Sequence, residues 1–194
     1  MMREPAPPIR RLPRTVRLDG SDAAVFERPA LPGEWAVSGA FAFLGDVAVS
    51  GKAQQAFANG FLGLDSFGWS SLVIVSDAAP DEVSAAVGAL ARHLVAEYGA
   101  PSTQAAELAA AEEIAFAASL CDGHAAGTFL AVSRRFEGDE VVESFRAVLD
   151  PAGSAAETDV SCRAWSLRIE GSPDETGTPP PIDLADPARR GRPE

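Results

Sequence analysis

The chain has few of the side chains that metal and redox sites require. Among its 194 residues it contains two cysteines, Cys121 and Cys162, and two histidines, His93 and His124. No C-x-x-C pair occurs, so the spacing typical of structural zinc sites and thioredoxin-like centres is missing. Two cysteines are also too few for a disulfide framework. We therefore expect reduced thiols, a cytoplasmic location and no cofactor.

Long apolar runs are missing as well. The most apolar stretch, residues 41–49, is interrupted by Asp46 and falls short of the roughly 20 residues that a membrane-spanning helix needs. The N-terminal pair Arg10-Arg11 is followed by Pro13 and further charges instead of the apolar core of an export signal. The sequence therefore predicts no membrane partner.

Basic residues are outnumbered. The chain has 16 basic and 28 acidic side chains, which gives a net charge of −12. An acidic surface repels the phosphate backbone, so we expect no nucleic-acid partner. A protein partner or self-association remains the expected kind of interaction.

Composition divides the chain into three parts. Residues 1–12 are rich in proline and arginine, and residues 171–194 are rich in proline and mixed charge. Neither segment carries enough apolar surface to offset the entropy of ordering. The sequence therefore predicts a disordered arm over 1–12, a single domain over 13–170 and a disordered tail over 171–194.

Hydrophobic periodicity predicts the order β-β-α-β-α-α-β-β-β within that domain. Helices are expected at 51–64, 80–98 and 102–121, and strands at 15–19, 34–44, 69–75, in a hairpin over 128–148, and at 165–169. This order favours the α+β class, with a mostly antiparallel sheet and a helical hairpin and a shorter helix packed on one face.

Two elements are specified in more detail. The helix at 80–98 begins with Pro80 and carries one apolar stripe: Val83, Val87, Leu90, Leu94 and Tyr98. The hairpin turns at 137–140, which pairs Phe136 with Val141 and opposes Arg134 to Glu143. The helix at 102–121 is expected to pack through small side chains: Leu108, Ala111, Ala115 and Ala118.

One cluster of polar side chains could bear chemistry. Cys121, Asp122 and His124 are close in sequence and could bind a metal if remote ligands joined them. The helix end at Cys121 disfavours a thiolate, because the helix dipole is negative there. The simpler interpretation makes Cys121 a buried apolar residue and Glu112 and Glu113 a solvated helix face.

Glycines punctuate the region before the third strand. Gly60, Gly63 and Gly68 lack the spacing of a dinucleotide-binding loop, and Gly51-Lys52 lacks the upstream glycine of a phosphate loop. They indicate a helix end followed by a turn into a strand. The alternative is a glycine-lined pocket wall beside Trp69. His93, next to the apolar stripe, is expected at the boundary of the core.

Three stretches carry a family resemblance: residues 11–19 (RLPRTVRLD) leading to 33–35 (GEW), residues 60–69 (GFLGLDSFGW), and residues 112–122 (EEIAFAASLCD). Together they resemble an uncharacterised family of small proteobacterial proteins of unknown function, over about residues 11–149. The resemblance implies a bacterial, cytoplasmic protein, and it assigns no functional residue.

Two functions follow as hypotheses. The first is a non-catalytic interaction or accessory protein of a bacterial cytoplasm, indicated by the acidic charge and the proline-rich ends. The alternative is a small-molecule or metal-binding enzyme that uses Cys121, Asp122 and His124.

Overall fold

The computed structural model describes residues 10–44, 49–138 and 140–149, and the backbone of 158–166. Within these ranges the chain forms two antiparallel sheets and four α-helices. The strands are β1 (Arg10–Thr15), β2 (Ala36–Val37), β3 (Phe61–Gly63), β4 (Trp69–Ser70), β5 (Leu72–Ala78), β6 (Phe129–Glu137), β7 (Glu140–Leu149) and β8 (Thr158–Ser166). The helices are α1 (Ser21–Val25), α2 (Gly51–Asn59), α3 (Pro80–Tyr98) and α4 (Thr103–Ser119).

The larger sheet has five strands in the order β1-β5-β6-β7-β8, and the smaller has three in the order β2-β3-β4. Every neighbouring pair is antiparallel. The predicted α+β class with a mostly antiparallel sheet is confirmed. None of the helices in the described ranges is long and apolar enough to cross a bilayer.

The β6–β7 hairpin has the predicted register. Phe136 pairs with Val141, and Arg134 lies opposite Glu143. Local alternation was sufficient here because a shift of one residue would have turned every apolar side chain away from the core.

Helix α3 has the predicted limits. Pro80 occupies its first turn, the Glu82 carboxylate accepts a hydrogen bond from the Ala79 amide at 2.9 Å, and Gly99 ends it with a φ of +63°. Leu90 and Leu94 are buried and face β1, β2 and α4 across the main core cluster. The end of the stripe is less buried, because Tyr98 is 44% exposed.

The predicted strand over 34–44 is mostly wrong. Only Ala36–Val37 is a strand, and a 3₁₀ helix follows at Ala40–Phe43. Gly39 adopts a φ of +79°, which turns the chain out of the sheet. A Cβ on this glycine would lie 2.7 Å from the Cβ of Leu62, so the backbone approaches β3 too closely for a side chain.

The predicted helix over 51–64 ends early, at Asn59. Gly60 is extended, and a Cβ there would lie 2.8 Å from both the Ala56 carbonyl oxygen and the Trp69 ring. The chain therefore leaves the helix at Gly60, and Phe61 and Leu64 enter the core from β3 and the following turn.

Helix α4 is rotated relative to the prediction. Leu108 is 62% exposed and Ala111 and Ala115 are also exposed. The buried residues are instead Ala106, Ala110, Glu113, Ile114 and Ala117. With alanine on every side of the helix, sequence periodicity had little contrast from which to choose a face.

The limits of the domain also differ from prediction. Residues 10–12, predicted to belong to the arm, form the first half of β1 and pair with residues 76–78. The last strand lies at Thr158–Ser166, earlier than predicted, and the short helix α1 was not predicted. Residues 1–9 of the predicted arm and the whole predicted tail, 171–194, lie outside the described residues.

Candidate aromatic binding cleft

A cleft of about 770 Å³ opens between α2, the end of α3 and the β3–β4 hairpin. Five of its lining residues carry rings: Phe43, Phe67, Trp69, His93 and Tyr98. Four carry charges: Glu27, Arg28, Lys52 and Glu97. Its volume lies in the range of small-molecule sites in proteins, about 300–1,000 Å³.

One wall of the cleft is a continuous group of rings. His93 stacks on Phe67 with centroids 3.5 Å apart and planes inclined by 7°. Tyr98 meets the edge of His93 at 5.5 Å. Stacked and edge-to-face rings hold one another rigidly, so this wall is organised before any ligand arrives.

A second ring pair faces the cleft from the smaller sheet. Phe43 lies against Trp69 with centroids 5.0 Å apart. The Trp69 ring packs against two glycines, since a Cβ at Gly39 or Gly60 would approach it to 3.0 Å or less. The backbone of Trp69 is fixed on both sides: its amide donates to the Arg28 carbonyl, and its carbonyl accepts from Ala30, each at 2.8 Å.

Phe67 is held in place by a buried carboxylate on a neighbouring loop. Glu34 is 3% exposed and accepts hydrogen bonds from the amides of Asp65 and Ser66, both at 2.7 Å. The turn that results places Phe67 at a φ of +50°, a conformation that residues with a Cβ rarely adopt. Strained backbone of this kind concentrates at binding sites, where it fixes the direction of a side chain.

Gly60, Gly63 and Gly68 are not among the residues that line the cleft. The helix ends at Gly60, earlier than the predicted 51–64, and the chain then turns through the β3–β4 hairpin. Trp69 also borders the cleft, with Gly60 packed against its ring. Gly63 lies against the Glu34 carboxylate, where a Cβ would come within 2.7 Å of an oxygen.

The four charged side chains on the cleft are exposed and pair with no other described residue. Burial lowers the pKa of His93, with Glu97 opposing this shift and Arg28 adding to it. Burial also raises the pKa of Tyr98, and Glu97 adds to that shift. Charges of both signs therefore act on the same group of rings.

A buried ion pair supports the floor beneath α2. Arg134 and Glu143 are both inaccessible, with Nε and Oε1 2.6 Å apart. Arg134 also donates to the carbonyls of Phe57 and Gly60, at 2.9 and 2.7 Å, and to that of Ser38. Burial lowers the pKa of Arg134, while Glu143 opposes the shift. This side chain ties β6 to the end of α2 and to the segment after β2.

Cys121 and Asp122 of the predicted Cys121, Asp122 and His124 cluster border one cavity, which His124 does not line. Cys121 is 1% exposed and its thiol lies 3.6 Å from the Ala117 carbonyl, inside the core. Burial raises its pKa to about 12, and Asp122, which is exposed, adds to the shift. The His124 carbonyl accepts from Arg11 at 2.7 Å. Within the described residues, no three side chains of the metal-binding types come together.

The predicted solvated face at Glu112 and Glu113 is correct for the first residue only. Glu112 is exposed, whereas Glu113 is 5% exposed and acts electrostatically on Arg134. The rotation of α4 explains the difference, because it turns Glu113 towards the sheet.

Sequence reasoning missed Lys52, Tyr98 and the charged residues Glu27 and Arg28. One available signal was the rarity of lysine and tyrosine in this sequence. Lys52 is the single lysine of the chain and Tyr98 the single tyrosine, and both border the cleft. Five separate segments contribute to the cleft, so no local spacing could have predicted it.

The fold and the cleft define an α+β domain with a cleft lined by aromatic side chains. A family model matches residues 10–161, and the chain belongs to that family, a family of unknown function (DUF6505). The resemblance to a family without an assigned function is thereby confirmed. Comparison with curated proteins and with solved structures gave no match.

Proposed function

We propose that this chain is a non-catalytic binding protein whose cleft holds a small organic molecule with a flat ring. The observation that carries the proposal is the five-ring lining of a 770 Å³ cleft, with His93 and Phe67 already stacked. Flat rigid walls favour a flat ligand, because stacking adds about 0.5–1.5 kcal/mol per ring pair beyond area burial.

The side chains around the cleft support binding more than catalysis. His93, the natural candidate for a general base, stacks one face on Phe67, and its ring donates no hydrogen bond to a carboxylate or carbonyl of the described residues that would orient it. A catalytic histidine is normally oriented by a carboxylate or carbonyl. Here the ring serves as a wall.

The biological setting is part of the same proposal. We infer an interaction or accessory protein of a bacterial cytoplasm that binds a protein partner or a second copy of itself. The net charge of −12 and the scarcity of cysteine support this setting. Affinity capture from the native host, with and without a ligand, tests the partner.

Ligand-observed NMR on the full chain tests the binding function. L-phenylalanine, indole and adenine serve as ring probes. We expect saturation transfer from the protein to at least one of them, and loss of that transfer in Phe67→Gly. Glycine accepts the φ of +50° without strain, so this variant removes the ring and keeps the turn.

Phe136→Leu is the matched control. Phe136 stacks on Phe57 with centroids 4.3 Å apart and is 39% exposed, but it does not line the cleft. It should leave the transfer intact. Saturation transfer to none of the three probes, or a transfer that Phe67→Gly does not reduce, would contradict the proposal.

A further inference from the structure

Among the described residues, two positive and two negative side chains line the cleft, and none of the four forms an ion pair. Arg28 and Lys52 carry positive charge, and Glu27 and Glu97 carry negative charge. The ion pairs of the described residues lie elsewhere, between Arg11 and Asp77, Arg14 and Glu82, Arg134 and Glu143, and Arg135 and Glu137. The cleft therefore offers contacts of both signs that the described protein does not itself use.

At least one charge of each sign lies close to the ring wall. Arg28 and Glu97 both act electrostatically on His93, in opposite directions. Glu97 also acts on Tyr98, the next residue of α3. Arg28 and Glu97 also line the same cleft as Phe67 and His93, so a ligand ring on this wall shares the cleft with a guanidinium and a carboxylate.

A ligand with one charge satisfies only half of this arrangement. An anion would be attracted by Arg28 and Lys52 and repelled by Glu27 and Glu97, and a cation would meet the reverse. Electrostatic complementarity of this kind selects among ligands more than it adds affinity. A molecule that carries both signs can place each of its charges next to a side chain of the opposite sign.

We propose that the cleft selects a zwitterion with an aromatic ring, a compound of the aromatic amino-acid type. The inference rests on the proposed binding function and narrows its ligand class. The ring lies on the wall formed by Phe67 and His93, the carboxylate faces Arg28, and the ammonium group faces Glu97. Lys52 and Glu27 line the same cleft and add one charge of each sign.

Three matched probes test the selection by calorimetric titration of the full chain at pH 7.5. L-phenylalanine carries both charges, 3-phenylpropionate carries the negative one alone, and 2-phenylethylamine carries the positive one alone. We expect L-phenylalanine to bind about fivefold more tightly than either analogue, since a solvent-exposed charge pair contributes at most about 1 kcal/mol.

Substitutions of Glu97 and Arg28 test which charge of the ligand each side chain contacts. Glu97→Gln should weaken the binding of L-phenylalanine and 2-phenylethylamine about fivefold, and it should not weaken that of 3-phenylpropionate, which Glu97 repels. Arg28→Gln should weaken the binding of L-phenylalanine and 3-phenylpropionate, and it should not weaken that of 2-phenylethylamine, which Arg28 repels. Glu112→Gln and Arg92→Gln, on exposed positions of α4 and α3 outside the cleft, should change none of the three affinities.

The possible results distinguish a failure of the zwitterion inference from a failure of the proposed binding function. If an analogue with a single charge binds as tightly as L-phenylalanine, the zwitterion inference is wrong and ring binding stands. Equal effects of Glu97→Gln on all three probes would also overturn it. If none of the three probes binds, and indole and adenine also fail, both proposals are overturned.

Discussion

The pKa of His93 depends both on the packing of its ring and on neighbouring charges. Its ring is half-buried against Phe67, and burial lowers its pKa from the ordinary value of 6.5. Glu97 opposes that shift and Arg28 adds to it. Because the unfolded chain takes up a proton here at a higher pH than the folded chain, folding favours the neutral ring.

The sign of the pH dependence follows from this shift. The stabilisation of the folded state by the neutral His93 ring is fully present above about pH 6.5, and it is lost as the pH falls through the lower pKa of the folded state. We expect His93→Phe, which keeps a stacked ring without a titrating group, to lose less unfolding free energy than wild type between pH 7.5 and pH 5.5. Urea titrations at both pH values measure this difference. Identical losses in the two proteins would show that His93 does not contribute.

At the scale of elements, the buried Arg134 connects the five-stranded sheet to the end of α2 and to the segment after β2. It contacts Glu143 on β7, the carbonyls at the end of α2 and the carbonyl of Ser38. Removing the guanidinium leaves these acceptors buried without their donor, which is far more costly than losing an exposed pair.

We therefore expect Arg134→Met to lower the free energy of unfolding by about 3–5 kcal/mol. The neighbouring Arg135 provides the control, since its pair with Glu137 is more than half exposed. Arg135→Met should stay within about 0.5 kcal/mol of wild type. Guanidinium titrations of both variants give the comparison, and a similar cost at the two positions would show that burial of the pair has no energetic weight.

The elements that could be predicted from sequence are those with strong local contrast. Helix α3 has a proline at its start, a glycine at its end and a clear apolar stripe, and the β6–β7 hairpin has alternating side chains on both strands. Helix α4 lacks such contrast because alanine occupies most of its surface. Helix α2 ends where Gly60 packs against the Trp69 ring. Trp69 lies outside the helix, so the local sequence pattern does not indicate this contact.

The cleft could not be predicted from local sequence patterns, because segments that are distant in sequence form it. Its walls come from Glu27-Arg28, the 3₁₀ helix, α2, the β3–β4 hairpin and the end of α3. The direction of Phe67 depends on Glu34, more than 30 residues away in the chain. The alternative of a glycine-lined wall beside Trp69 named a residue of the cleft, but among the described residues the lining beside Trp69 consists of other side chains and no glycine.

At the scale of the whole molecule, the first strand closes one edge of the five-stranded sheet. Arg10–Leu12 pairs with residues 76–78, and Leu12 is 1% exposed in the main core cluster. The ordered domain therefore begins earlier than composition suggested.

Two truncations test this limit. Removing residues 1–9 leaves every described strand pairing in place, so the melting temperature should change by less than about 2 °C. Removing residues 1–12 deletes half of β1 and a buried leucine, and should lower it by at least about 5 °C. Differential scanning calorimetry distinguishes the two proteins. Equal melting temperatures would mean that β1 contributes little to the sheet.

The single lysine of the chain stands at the mouth of the cleft. An amine-acylating reagent has only two nitrogens to modify, the α-amino group and the Lys52 ε-amine, so the mass of the labelled protein reports directly on the cleft. A molecule seated there would shield one of the two. The protein thus carries a native footprinting probe, and extracts can be screened for the cleft's occupant by counting acyl groups, without engineering a reporter into the chain.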